Sequence, residues 1–192
     1  MSILIGIALS ATCGFRVFVP LLAVNIGTRA KDADGQPMIE LAAGFDWLSS
    51  DIAMMIFLVA AIFEIGGYYI PWIDNLLDSV ASPAAIVAGT LITASFITGM
   101  DTWLQWLLAL IAGGGVAGAV QATMVVTRAS ATVTTGGLGN PIVSSVETSG
   151  AFLGSALSIL AAPLAIGVFV LLLGSGVWIW FRRRNGKLNE AA

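Results

Sequence analysis

Glu64, Asp74 and Asp78 fall within one stretch, EIGGYYIPWIDNLLDSVASP, between two of the most apolar parts of the chain. Carboxylates at that spacing, with Asn75 beside them, are the material of a cation or proton site. Asp74 and Asp78 are four apart, so a helix sets them on one face a turn apart, where like charges repel unless a cation or a proton intervenes. The bland alternative is a solvated elbow in which Asp74 caps the helix that begins there. Arg16, in CGFRVFVP, and Glu147, in SSVETSG, are further ionisable groups inside apolar sequence. A charge at the centre of a bilayer costs from about 2.5 to more than 10 kcal/mol, so such residues face a bundle interior, pair up, or mark a pathway. If the first two apolar stretches lie antiparallel, Arg16 and Glu64 differ in depth by roughly 10 Å, much of which an arginine side chain can bridge. Such a pair either fixes helix packing or gates a site.

The backbone offers a second kind of chemistry. TTGGLGNP is poor helix-forming sequence, yet it lies between apolar segments and carries no charge. Irregular backbone at membrane depth is tolerated where it lines a cavity or is buried in protein, so Thr135, Gly136, Gly137 and Asn140 are candidate ligands of a re-entrant loop, with Glu147 as its acid. A plain loop is the alternative. GGGVAG, from Gly113 to Gly118, reads as a close-packing stretch, because small residues let helices approach. The chain has no histidine and one cysteine, Cys13. That removes histidine acid–base chemistry, Cys–His nucleophiles and the usual zinc ligand sets. No catalytic residue and no cofactor are assigned, the identity of any metal is open, and an enzyme is the less favoured reading.

The elements that must carry these residues are apolar helices. Hydrophobic residues make up 58% of the chain and charged residues 10%, where soluble domains are about a quarter charged. The fold class expected is all-α: an integral membrane bundle with spans at residues 3–26, 47–70, 83–98, 103–127, 142–162 and 163–181. Six spans are expected, or five if the last two form one helix broken at Pro163. Residues 1–181 form a single transmembrane domain and 182–192 a basic tail. RRRNGK in that tail places the C-terminus in the cytoplasm, and six spans bring the N-terminus to the same side. The first apolar run, with no basic residue before it, reads as a retained span rather than a cleaved signal. The lipid bilayer is the principal partner. With no basic stripe, nucleic acid is not one. A homo-oligomer is compatible with so small a chain.

Three motifs, GFRVFVPLL, EIGGYYIPWIDNLLDSVASPAAIVAGT and TTGGLGNP, resemble an uncharacterised bacterial membrane-protein family, the domain of unknown function DUF4126. The resemblance covers nearly the whole chain apart from residues 28–49 and the tail. It implies a small multi-pass protein of the bacterial inner membrane with no assigned activity. The positions it picks out are Arg16, Glu64, Tyr69, Pro71, Asp74, Asn75, Asp78, Gly136, Gly137, Asn140 and Pro141. The function expected from the residues is binding and transport of a small solute or cation through a polar intramembrane cavity. The alternative is a non-transporting scaffold or assembly subunit whose polar residues lock helix packing.

Overall fold

Residues 3–26 do not form the single crossing that their apolarity suggests. The computed structural model describes residues 2–32, 34–162, 164–171 and 174–175. The side chains of Pro71, Trp72, Asp74 and Asn75, the C-terminal part of the last expected span and the basic tail lie outside the described residues. The first apolar run folds as two helices, α1 (Ser2–Cys13) and α2 (Phe18–Arg29), each of 12 residues. Each is about 18 Å long at 1.5 Å per residue, short of the ~30 Å hydrocarbon core.

The two helices run antiparallel, as their neighbours establish. Along α1, Gly6 lies against Phe96, Ser10 against Gly89 and Thr93, and Gly14 against Val120. Thr12 meets Ser155 and Phe15 meets Gly150, so α1 runs against the direction of the helix that carries them. In α2 the order reverses: Val19 and Leu22 share a cleft wall with Phe152, while Gly27 reaches Ile159. The first apolar run is therefore an antiparallel helical hairpin, with its tip at residues 14–17. Pro20, at the third position of α2, helps the second helix start, because the N–H it lacks would have no partner in the helix anyway.

The remaining helices are α3 (Asp51–Gly67), α4 (Pro71–Phe96), α5 (Thr102–Ala109), α6 (Gly115–Thr135) and α7 (Asn140–Leu160). One π-helical turn, Leu110–Gly114, joins α5 to α6. Among the described residues three segments are long and apolar enough to cross a membrane: Leu76–Phe96, Thr102–Thr135 and Asn140–Leu160. Helix α3 is shorter and turns Ile52, Met55, Ile56, Ile62 and Phe63 outward, as a lipid-facing helix would. Ala161 leaves the helical conformation, so α7 and the helical stretch 164–171 are separate elements and do not form one long kinked helix. Ala165 and Phe169 of that stretch pack with Ala8 and Ala11 of α1. Among the described residues no strand forms; Lys31 and Pro37 make one isolated bridge.

Residues 30–50, between α2 and α3, fold over one end of the bundle and contribute Ile39, Ala42, Phe45 and Leu48 to the core. Asn25 Nδ2 donates to Leu48 O at 2.5 Å and to Ser50 O at 3.0 Å, pinning the loop to α2. The Gly-rich stretch, read as either a re-entrant or a plain loop, is an exposed turn between α6 and α7. Gly136 and Gly137 take φ of 63° and 90°, a conformation glycine adopts without a Cβ penalty.

The hairpin fits because its neighbours are small. A Cβ on Gly113 would lie 2.1 Å from Thr93 Oγ1 and 2.4 Å from Gly89 O, so α4 and the π-helical turn touch backbone to backbone. This is the packing role read from GGGVAG. Gly113→Val should lower stability by at least about 1–3 kcal/mol through overpacking. Gly115→Ala, where nothing lies within 4 Å of the added carbon, should be neutral or gain up to about 1 kcal/mol. Thermal unfolding of the two purified variants in one detergent checks the contrast.

Candidate functional site at the hairpin tip

A helix that starts inside a bundle exposes backbone N–H groups that water cannot satisfy. In α2 these fall to Glu64 of α3. Val17 N donates to Glu64 Oε1 at 2.7 Å and Phe18 N to Glu64 Oε2 at 3.0 Å. A carboxylate there also meets the positive end of the helix dipole. The expected Arg16–Glu64 ion pair does not form: both carboxylate oxygens face the backbone, and Arg16 turns the other way.

Arg16 is fully buried, at 0% exposure, and reaches into α7. Its Nε donates to Thr148 Oγ1 at 3.1 Å, and its Nη2 donates to Ser144 O at 3.0 Å and Ser144 Oγ at 2.6 Å. Its Nη1 makes no hydrogen bond and lies 3.5 Å from Glu147 Oε2. Glu147, 1% exposed, is shared with a second arginine. Arg128 Nε donates to Glu147 Oε1 at 3.0 Å, and Arg128 Nη2 donates to Glu147 Oε2. This two-pronged contact is the strongest geometry for an arginine–carboxylate pair. Arg128 Nη1 donates to Asp78 Oδ1 of α4 at 2.7 Å. The ring of Tyr68, just beyond α3, lies under both guanidinium groups, 4.1 Å from Arg16 Cζ and 3.8 Å from Arg128 Cζ. Each such cation–π contact contributes more when desolvated, about 2 kcal/mol.

The structure thus gathers Arg16, Glu64, Asp78 and Glu147 around the tip, together with two residues outside the expected set, Arg128 and Tyr68. Arg128 stands in the sequence as a basic residue near a span end, on the same side as the acids, which marks topology without naming its partners. Tyr68 carries no signal beyond its place in GGYY. Thr135, Gly136, Gly137 and Asn140 lie elsewhere, about 10 Å along the axes of α6 and α7 from Arg128 and Glu147 at seven residues' rise. There Thr135 Oγ1 accepts from Gly139 N at 2.8 Å, and the side chains of Asn140 and Thr132 bond each other. Asp74 and Asn75 sit on the first turns of α4 by sequence, with side chains outside the described residues. Among the described residues no group of three or more His, Cys, Asp or Glu side chains is arranged to hold a metal ion.

Two apolar clefts flank the ionic cluster. One, of about 790 Å³ between α3 and α4, has Glu64 and Tyr68 on its wall. The other, of about 410 Å³ between α6 and α7, is lined by Phe15, Met124, Val146 and Phe169, with Glu147 behind them.

Fold and cluster together define a helical protein of membrane type, with a short-helix hairpin and a buried ionic centre. The chain matches the family model DUF4126, a domain of unknown function, over residues 3–182, and belongs to that family. Comparison with curated proteins and with solved structures finds no match.

Removing Glu147 would leave two buried arginines without their common counter-charge. Glu147→Gln should therefore cost about 3–5 kcal/mol, the usual penalty for breaking a buried pair from one side. The exposed Arg29–Asp51 pair, 2.7 Å apart with Asp51 84% exposed, sets the contrast. Asp51→Asn should change stability by at most about 1 kcal/mol. Detergent melts of the two variants measure the difference.

Proposed function

We propose that the chain binds a small cation or solute at the hairpin tip and carries it across the bilayer. The observation that supports this most is the interrupted first helix. Irregular backbone within apolar sequence survives where it is buried in protein or lines a cavity, and transporters build ion and substrate sites from broken helices met by charged side chains. Glu64 is the coupling residue: once protonated it is a weaker acceptor for the Val17 and Phe18 N–H groups, which loosens the tip. Asp78, Glu147, Arg16 and Arg128 hold the surrounding helices in register. Asp74 and Asn75, one turn before Asp78, extend the site, and Thr135, Gly136, Gly137 and Asn140 form its outer mouth. The protein lies in the bacterial inner membrane with the cluster side toward the cytoplasm, where Arg128 and the RRRNGK tail accord with the positive-inside rule. The hairpin, which brings Ser2 to the opposite side, takes the place of the first crossing.

A second reading, a scaffold whose polar residues lock the bundle, draws on a specific observation: apart from Arg16 Nη1, the buried side-chain nitrogen and oxygen atoms of the described residues all have hydrogen-bond partners. Proteoliposomes holding a pH-sensitive dye separate the two readings. Under imposed Na⁺, K⁺ or ammonium gradients, transport predicts an internal pH change faster than in protein-free vesicles, slowed at least tenfold by Glu64→Gln. Rates equal to protein-free vesicles for every cation, with unchanged Glu64→Gln behaviour, would favour the scaffold.

A further inference from the structure

We infer that the α3–α4 cleft is a binding site for lipophilic cations, amphiphiles with an ammonium or phosphonium centre and apolar substituents, that enter from the lipid. The inference rests on the proposed function for transport only; binding stands on its own observations. The first is size and lining. At about 790 Å³ the cleft lies within the ordinary range of small-molecule sites, and its wall is apolar with few polar groups. The second is the mouth. Ile62, Phe63 and Val80 line the cleft and are also exposed, so the opening faces where acyl chains would lie in a bilayer.

Charge complementarity selects the ligand. Among the described lining residues, Glu64 is the one that carries a charge. Each of its oxygens accepts one backbone N–H, which leaves acceptor capacity on both, since an ionised carboxylate offers about four lone-pair sites and no donor. A ligand meeting this wall gains by bringing positive charge. The arginines do not cancel this preference: neither lines the cleft, and they are engaged by Glu147, Asp78, Ser144 and Thr148 beside the Tyr68 ring. The α6–α7 cleft makes the comparison internal to the protein. Its acid, Glu147, is already bound by Arg128 and faced by Arg16, so that cleft offers no uncompensated charge to a cation.

Tetraphenylphosphonium and tetraphenylborate, ions of nearly the same shape and opposite sign, provide the test. Equilibrium binding is measured on the full chain in nanodiscs, with empty nanodiscs as the partition control. We expect saturable binding of the phosphonium, one per chain, and at least tenfold weaker binding of the borate. Glu64→Gln, whose amide oxygen can still accept from the hairpin backbone, should remove the preference for the cation. Ala60→Phe, which fills the cleft from α3 one turn before Glu64 and leaves that carboxylate in place, should abolish binding while the melting temperature stays near wild type. Borate binding as tight as phosphonium binding, phosphonium uptake no greater than in empty nanodiscs, or full binding by folded Ala60→Phe would each overturn the inference. Phosphonium binding without cation flux in proteoliposomes would leave this site standing and overturn the transport reading. Flux of small cations without phosphonium binding would do the reverse.

Discussion

Breaking a helix inside a bundle leaves backbone donors that only protein can answer, and here one carboxylate answers them. Glu64 joins the α2 N-terminus to α3 through two hydrogen bonds of 2.7 and 3.0 Å. The same break carries Arg16, whose fork ties the tip to α7. From there the chain of charge runs through Glu147 to Arg128 of α6 and on to Asp78 of α4. One interruption of four residues thus fixes the mutual placement of the hairpin and four further helices. Desolvated charges are costly, and the opposite charges and hydrogen bonds around them, which leave only Arg16 Nη1 unbonded among the buried side-chain polar atoms of the described residues, are what allow them to persist. A buried ion pair often stabilises no more than apolar residues of the same volume, whereas removing one partner is costly.

The two ends of the bundle are built differently. At the end where Ser2, Arg29 and Phe96 meet, the folded segment 30–50 seals the hairpin with apolar side chains and backbone hydrogen bonds, among them Ala42 N to Ser95 O at 2.7 Å. Trp47 and Trp106 pack there against Phe57 and Phe45. At the other end the contacts are ionic, and α3 stands away from α4 enough to leave the larger cleft. Small residues on α1, α4 and the π-helical turn permit this arrangement by letting backbones approach, with Ser10 Oγ 2.7 Å from both Gly89 O and Thr93 Oγ1.

Much of the site was legible in the sequence because its residues are expensive. Arg16, Glu64, Asp78 and Glu147 stand out as charges in apolar context, and burial follows from that cost alone. The membrane class, the family and the packing role of GGGVAG were legible for similar reasons. The hairpin was not. Hydropathy averages over a window and does not distinguish one long helix from two short ones of the same composition; Gly14 and Pro20 were the local signs that a turn intervenes. The Gly-rich stretch is ambiguous for the converse reason. TTGGLGNP lacks charge, but an exposed turn of small polar residues lacks it equally, and its positive-φ glycines are what reverse the chain. Tyr68 was invisible because an aromatic near a span end ordinarily marks the interface, and nothing local says that two arginines will lie against its ring. The partner of Arg16 was misjudged because sequence proximity favours neighbouring helices, whereas the hairpin delivers the side chain to α7.

The hairpin is the claim on which the rest depends, and sidedness tests it most directly. In a Cys13→Ser background, Ser2→Cys and Lys31→Cys are each reacted with a membrane-impermeant maleimide in sealed vesicles of known orientation. A re-entrant hairpin predicts that both positions label from the same side. Labelling of the two from opposite sides would mean that residues 3–26 cross the membrane once, and would contradict the account.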